Sequence, residues 1–187
     1  MPALPPAFYT RPVLAVARDL IGAILLVDGV GGVIVETEAY EKEDPASHGF
    51  RGRTQRNAVM FGPPGRMYIY LSYGMHWCAN IVCGEEGQAS AVLLRALMPL
   101  AGIERMEERR GQVARSLLCA GPGRLCRALG LTQAQNGLRV DAPPFEVLAG
   151  EDKPPIAVGP RIGITKAVEQ PWRFGWAGSK FLSRKFP

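Results

Sequence analysis

The sequence predicts a single α+β domain over residues 1–187, with a curved, mainly antiparallel sheet, surrounding helices and a protruding β-hairpin. Three observations lead to this prediction. A chain of 187 residues can bury one sizeable core but is not clearly long enough for two domains. Hydrophobic residues make up 47% and charged residues 21%, which is typical of globular proteins. Short apolar runs also follow one another across turn signals, a pattern that favours hairpins.

Charge and composition limit the kinds of ligand to expect. The net charge is +5, which suits a polyanionic partner without establishing one. The two histidines are far apart, and the cysteines form no C-x-x-C pair, so we expect no metal, no cofactor and reduced, buried thiols in a cytosolic protein. The first residues lack a basic stretch followed by a long apolar run, so we also expect no secretory signal and no membrane span. The four cysteines are Cys78, Cys83, Cys119 and Cys126.

The first elements are a helix and two strands. Thr10-Arg11-Pro12 resembles a cap with proline in the first turn, which predicts a helix through Leu20. Residues 24–27 form a short apolar strand, and Asp28-Gly29 is a turn signal. Residues 33–35 resume as a strand that continues into Glu36-Thr37-Glu38-Ala39-Tyr40.

This second strand ends in a cluster of acids. Since alternate side chains share a face, Glu36, Glu38 and Tyr40 should point one way. The opposite face should carry Val35, Thr37 and Ala39. Two carboxylates on one face could include a general base. The alternative is an exposed polar face on an edge strand.

A basic loop and a second hairpin follow. Arg51, Arg53 and Arg56 lie in a short polar segment that suits phosphate contacts, although a solvated surface loop explains it equally. Residues 67–71 and 76–82 predict two strands around Gly74. Tyr73 is unusual at such a turn. Either another segment covers it, or it is a wedge that enters something stacked, such as a nucleic acid.

The second half contains three further elements. Residues 89–97 predict a strand in which Arg95 requires a buried partner, unless its stem reaches water from a sheet edge. Residues 103–109 predict an exposed helix. Gly121-Pro122-Gly123 begins another helix, whose free amides could face phosphate or simply start the helix. Residues 158–166 predict a strand interrupted by glycines.

Together these segments resemble the alkyladenine DNA glycosylases, also called methylpurine or 3-methyladenine DNA glycosylases. The resemblance covers nearly the whole chain, and the combination is specific although each piece alone is weak. The matching segments are Val35-Glu36-Thr37-Glu38-Ala39-Tyr40, His48, Arg56-Asn57, Met60-Phe61, Pro64-Gly65, Tyr68-Ile69-Tyr70, Tyr73-Gly74-Met75, Cys78, Asn80, Leu93-Leu94-Arg95-Ala96-Leu97, Gly121-Pro122, Leu125-Cys126, Arg161-Ile162-Gly163-Ile164 and Arg173-Phe174.

The resemblance implies a monofunctional enzyme that flips damaged purines out of duplex DNA and hydrolyses the N-glycosidic bond. Glu38 matches the general base that activates water, and Arg95 matches a residue that helps hold this water. A backbone carbonyl near Ile162 or Ile164 would complete the water site.

The resemblance also implies the substrate pocket. Tyr40, His48 and Tyr70 match the walls that sandwich the flipped base, and Asn80 matches a residue that discriminates among purines. Tyr73 matches the residue that intercalates into the duplex. We expect a monomer in the cytoplasm, associated with the nucleoid if the source is bacterial or nuclear if it is eukaryotic. Backbone contacts are expected from Arg51, Arg53, Arg56, Gly121, Arg124 and Lys166.

The sequence departs from the family in two places, and two other hypotheses compete. The loop between Tyr40 and His48 is one residue shorter than in vertebrate relatives, and His76 replaces a tyrosine found in some members. Both differences bear on substrate range. The first competing hypothesis is a bifunctional glycosylase that uses the Pro2 amine as nucleophile, although the acid that should follow is Ala3. The second is a DNA-binding protein without catalysis.

Overall fold

The computed structural model describes residues 1–151 and 153–187, and within them a curled antiparallel sheet carries three α-helices. The strands are β1 (Ile24–Val27), β2 (Val30–Tyr40), β3 (Met67–Ser72), β4 (His76–Cys83), β5 (Ser90–Ala101), β6 (Phe145–Leu148), β7 (Ile156–Gly159) and β8 (Arg173–Trp176). They run in the order β3-β4-β5-β2-β1-β6, while β8 pairs with both β2 and β7. The curled antiparallel sheet and the helices confirm the predicted α+β class. The helices are α1 (Val13–Asp19), α2 (Ile103–Arg110) and α3 (Pro122–Leu129).

Most predicted elements exist close to their predicted bounds. The strand predicted over residues 24–27 is β1, and the helix predicted over residues 103–109 is one residue longer as α2. The strand predicted over residues 158–166 is wrong beyond Gly159, where the chain leaves the sheet as an irregular segment. Arg161 explains this departure, since its guanidinium turns inward to a carboxylate instead of extending the sheet.

Strand β2 is the centre of the sheet. It pairs with β5 along one side, while β1 and then β8 pair with successive parts of the other side. Glu36 and Glu38 are therefore fully buried. The alternative of an exposed polar edge is wrong.

Two register shifts between β2 and β5 change which residues face together. Ile34 pairs with Leu97 and Glu36 pairs with Ala96, so Val35 is the extra residue on β2. Val35 packs against Phe181, and Glu36 bonds to Ser183, so both face the same C-terminal segment. The prediction that Val35 lies opposite Glu36 is therefore wrong, because a β-bulge breaks strict alternation.

Arg95 occupies the matching irregularity on β5. Glu36 pairs with Ala96 and the next residue, Thr37, pairs with Leu94, so Arg95 is extra on its strand. Its carbonyl instead accepts a hydrogen bond from the Gly121 amide at 2.9 Å. Bulges re-aim side chains, and this one directs the Arg95 guanidinium to the acids of β2.

The main core lies on the other face of the sheet, where α1 and α3 pack. Thr37 marks this face, since its hydroxyl donates to the carbonyl of Ala17 in α1 at 2.8 Å. The four cysteines are free and buried, as predicted. No helix in the described part of the chain combines the length and apolar character needed to cross a membrane.

The hairpin β3–β4 ends in a tight turn that exposes Tyr73. Tyr73 and Gly74 both have positive φ, at 50° and 67°, as the central residues of a type I′ turn require. Next to this turn, the hairpin packs on α3 so closely that a Cβ on Gly123 would lie 2.9 Å from the His76 Cβ. Glycine at position 123 therefore permits the hairpin to lean on this helix.

Candidate active site

A cavity of about 620 Å³ opens beside the hairpin and gathers most of the predicted site residues. Its walls come from β2, β3, β4 and β5, the loop after β2 and the irregular segment after β7. The predicted residues that line it are Tyr40, His48, Arg56, Tyr70, Tyr73, Asn80, Arg95 and Lys166.

Glu38 lies behind this cavity, held by three groups that line it. Oε2 accepts a hydrogen bond from the Tyr40 hydroxyl at 2.8 Å and lies 3.3 Å from Nη1 of Arg95. Oε1 accepts from the Ile162 backbone amide at 2.7 Å. An ionised carboxylate offers about four acceptor positions, so about one position of Glu38 remains without a donor among the described residues.

Arg95 has a buried partner, as the sequence predicts, and the structure shows that the partners are carboxylates; the edge-strand alternative is wrong. Its Nε donates to Glu36 Oε1 at 3.2 Å, while Nη1 reaches Glu38. Both glutamates are fully buried, and Arg95 is only 7% exposed. Burial of these charges without opposite charges beside them would be costly, so the acids and the arginine compensate one another.

Three aromatic rings form one wall of the cavity. The His48 and Tyr70 ring centroids are 4.3 Å apart, and those of Tyr68 and Tyr70 are 5.5 Å apart. Tyr68 was not predicted as a site residue, yet its hydroxyl shares a 3.0 Å hydrogen bond with Nδ1 of His48. Its position two residues before Tyr70, on the same face of β3, was the available signal.

Ionisation of this wall is shifted towards neutral forms. Burial raises the pKa of Tyr68 to about 12, against the opposing effect of the Arg56 cation. Burial, and next the Arg56 cation, lower the pKa of His48 below its usual value. Burial and the neighbouring Glu38 raise the pKa of Tyr40, which keeps its hydroxyl a donor. The wall therefore offers neutral rings to a ligand at pH 7.

A buried ion pair fixes the other side of the cavity. Arg161 makes a bidentate contact with Asp44, and both side chains are fully buried. The guanidinium also stacks over Tyr40, 4.6 Å from the ring centroid. This pair anchors the segment whose next residue, Ile162, binds Glu38. Sequence reasoning assigned no role to Asp44 or Arg161, although Arg161 in an apolar run carried the same signal as Arg95.

Asn80 and Cys78 also line the cavity. The Asn80 amide nitrogen donates to the Tyr68 carbonyl at 3.1 Å, which leaves its oxygen for a ligand. Burial raises the pKa of the Cys78 thiol, so this side chain is a poor nucleophile. Among the described residues, no group of three or more His, Cys, Asp or Glu side chains is placed to hold a metal ion.

Tyr73 stands at the mouth of the cavity and is 85% exposed, so the hypothesis that another segment covers it is wrong. A bulky residue at positive φ costs roughly 1–3 kcal/mol, and such strain is concentrated at functional sites. The next exposed apolar side chain is Met75, two residues further on. The hairpin tip is thus an unpacked apolar point beside the cavity.

The other predicted backbone contacts are more dispersed. Arg51 and Arg56 line a neighbouring cavity of about 310 Å³, and Arg53 is exposed nearby. The Gly121 amide already donates to the Arg95 carbonyl, and Arg124 is exposed in the first turn of α3. Pro2 lies at the opposite edge of the sheet, where its carbonyl accepts from Ala149 just beyond β6. This position does not favour a nucleophilic Pro2 amine.

Comparison with known proteins shows the family of the chain. The family model described as methylpurine-DNA glycosylase (MPG) matches residues 7–180. Three relatives, all named as candidate 3-methyladenine DNA glycosylases, come from Rhodopseudomonas palustris strain BisB18, Nitrobacter winogradskyi and Nitrosospira multiformis. The first is 59% identical over 185 residues, covering 99% of this chain and 92% of the relative. The second is 59% identical over 180 residues, covering 96% and 86%. The third is 60% identical over 171 residues, covering 91% and 89%.

These matches place the chain among the DNA glycosylases. It belongs to the methylpurine-DNA glycosylase family.

Proposed function

We propose that the protein is a monofunctional DNA glycosylase that removes alkylated or deaminated purines from duplex DNA and so starts base excision repair. The observation that carries this proposal is the buried Glu38, held directly behind the cavity by Tyr40, Arg95 and Ile162, which line it. The family relationship supports the reaction class, and the cavity supplies a place for a flat ring.

In the proposed reaction, Glu38 is the general base. Its free acceptor position takes a proton from a water molecule, whose oxygen forms a bond to C1′ of the deoxyribose. The N-glycosidic bond breaks, and its electron pair leaves with the purine. Arg95 helps to orient the water, and a carbonyl near Ile162 or Ile164 is the remaining candidate ligand for it. A general base contributes about 10²- to 10⁴-fold to rate.

The substrate base occupies the aromatic cavity. Chemistry at C1′ requires the nucleotide to leave the helical stack, which costs a few kcal/mol. Tyr73 would fill the vacated space and recover part of this cost by stacking. The base itself would lie between Tyr40 and the wall made by His48 and Tyr70, next to Asn80. Many alkylated purines are cationic, and aromatic faces favour a cation by about 0.5–2 kcal/mol.

Two properties of the chain support duplex DNA as the partner. The net charge is +5, and exposed arginines flank the cavity at Arg51, Arg53 and Arg56. Such groups contact phosphates without reading sequence. The hairpin tip then inserts into the base stack while the arginines contact the DNA phosphates.

The test is base excision by Glu38→Gln on duplexes carrying 3-methyladenine, 7-methylguanine, hypoxanthine or ethenoadenine. We expect this variant to bind lesion DNA but to excise roughly 10²- to 10⁴-fold more slowly. Glu86→Gln, at an exposed turn position, is the matched control and should behave as the wild type. Undiminished excision by Glu38→Gln would refute the assigned base. Lesion binding without excision by the wild-type protein would instead indicate a damage-recognition protein.

Hypoxanthine separates protonation of the leaving base from activation of the water molecule. A neutral purine needs a proton on leaving, whereas a cationic one already carries its charge. We therefore expect a bell-shaped pH profile for hypoxanthine excision. The excision rates on the four duplexes will also rank the substrates.

A further inference from the structure

The C-terminal segment reaches into the buried charge cluster behind the cavity. Glu36 accepts four hydrogen bonds there, two of them from one residue of this segment, Ser183. The Ser183 amide donates to Oε2 at 2.5 Å, and its hydroxyl donates to Oε1 at 2.8 Å. The other two donors are Nε of Arg173 at 2.8 Å and Nε of Arg95 at 3.2 Å. The Ser183 hydroxyl also accepts from Nη2 of Arg95 at 3.3 Å.

Each nitrogen of the Arg95 guanidinium thus has its own partner. Nε contacts Glu36, Nη1 contacts Glu38 and Nη2 contacts Ser183. A planar guanidinium with three separate partners is fixed in both position and rotation. Ser183 supplies the contact on the side of Arg95 away from Glu38.

Two aromatic anchors hold Ser183 in place. Phe181 is buried against Val35 and Ala96, next to the bulges of β2 and β5. The Phe186 ring lies over the Arg173 guanidinium at 3.9 Å. This ring passes so near β8 that a Cβ on Gly175 would lie 2.4 Å from it. The segment is therefore packed as part of the sheet face and is not a loose end.

We propose that Ser183 is a positioning residue for the reaction, acting through Glu36 and Arg95 on the water site at Glu38. This proposal rests on the proposed function. Without the hydroxyl, Arg95 keeps its charge and its contact with Glu38 but loses the restraint on Nη2, and Glu36 loses one donor. The guanidinium can then rotate away from the geometry in which it shares a water molecule with Glu38. Ser183 lies beyond residue 180, where the family match ends.

The test compares Ser183→Ala with Ser183→Thr and with Ser179→Ala. Ser179 is a matched control, because its hydroxyl accepts from the Phe181 amide in the same segment. Single-turnover excision at saturating enzyme and binding to lesion duplexes are measured for each variant. We expect Ser183→Ala to excise roughly tenfold more slowly, the equivalent of one lost hydrogen bond to a charged group, with binding changed less than about twofold. Ser183→Thr should restore the rate, and Ser179→Ala should match the wild type.

A second readout does not depend on activity. The Nε–Hε NMR signal of Arg95 should move in Ser183→Ala, return towards its wild-type position in Ser183→Thr and stay unchanged in Ser179→Ala. An unchanged rate in Ser183→Ala, an equal loss in Ser179→Ala, or a Thr variant as slow as the Ala variant would overturn the proposal. If the proposed function holds, Glu38→Gln excises slowly whatever the Ser183 variants do. Failure of the Ser183 proposal is therefore distinguishable from failure of the proposed function.

Discussion

The buried pair between Asp44 and Arg161 gives the sharpest prediction on stability. Both side chains are fully buried, and 116 residues separate them in the chain. Arg161 also donates to the Ala39 carbonyl at 3.0 Å, while its buried Nε has no hydrogen-bond partner among the described residues. Asp44→Asn would remove the only carboxylate that forms a salt bridge with Arg161 among the described residues. The guanidinium would then be a buried charge without a counter-ion.

We expect Asp44→Asn to lower the free energy of unfolding by about 3–5 kcal/mol, the usual cost of removing one member of a buried pair. Urea unfolding followed by tryptophan fluorescence measures this change, and Trp172 is a local reporter 5.1 Å from the Arg161 guanidinium. With a slope of about 2 kcal/mol per molar, the midpoint should fall by about 1.5–2.5 M. Loss of the anchor next to Ile162 should also slow excision.

Two controls isolate the cause. The pair between Arg11 and Asp19 is partly exposed, so Asp19→Asn should change the free energy of unfolding by less than about 1 kcal/mol. Replacing both buried partners, as Asp44→Asn with Arg161→Gln, should recover stability relative to Asp44→Asn alone, because it removes the unpaired charge. A midpoint for Asp44→Asn no lower than that of Asp19→Asn would refute this account.

Two further predictions concern the cavity mouth. An NMR titration should give His48 a pKa below 6.5. This pKa should rise only in part in Arg56→Gln, because burial is the larger cause of its lowering. The folded protein then binds fewer protons than the unfolded chain, so the stability from neutral His48 is present above pH 6.5 and lost as pH falls through the lowered pKa. His48→Gln should flatten this loss, and an equal slope in both proteins would contradict it. Tyr73→Ala should weaken lesion binding roughly 5- to 150-fold, corresponding to about 1–3 kcal/mol per stacked base, without unfolding the exposed tip. Equal lesion affinity in fluorescence anisotropy would remove the wedge hypothesis.

Local patterns were sufficient for most of the fold. Apolar runs and turn residues predicted β1 with its observed bounds and predicted the hairpin that presents Tyr73. They could not predict the bulges at Val35 and Arg95, because a bulge depends on which strand pairs with which. The irregular segment after Gly159 has the same origin, since a carboxylate distant in the chain draws Arg161 inward.

The family resemblance predicted most residues of the cavity, and beyond it the sequence predicted a site residue only where that residue carried the signal by itself. Arg95, alone in an apolar strand, demanded a buried partner and has two. The same reasoning applied to Arg161 and Arg173 would have identified both as buried cations. Ser183 offered no such signal, because a serine near a basic C-terminus is ordinary and its importance lies in Glu36, 147 residues away.

The buried charges are better explained by the geometry of the cavity than by stability. Glu36 and Glu38 balance Arg95 and Arg173, and Asp44 balances Arg161, so the six groups sum to zero formal charge. Well-packed apolar residues in place of such pairs are often neutral or even stabilising. Yet the contacts of this cluster end on Tyr40, Arg95 and Ile162, the three groups that hold Glu38 directly behind the cavity. Under the proposed function such a stability cost is reasonable, because the cluster holds the Glu38 carboxylate in one position, and a misplacement of about 1 Å at a catalytic group can lower the rate about 10²-fold.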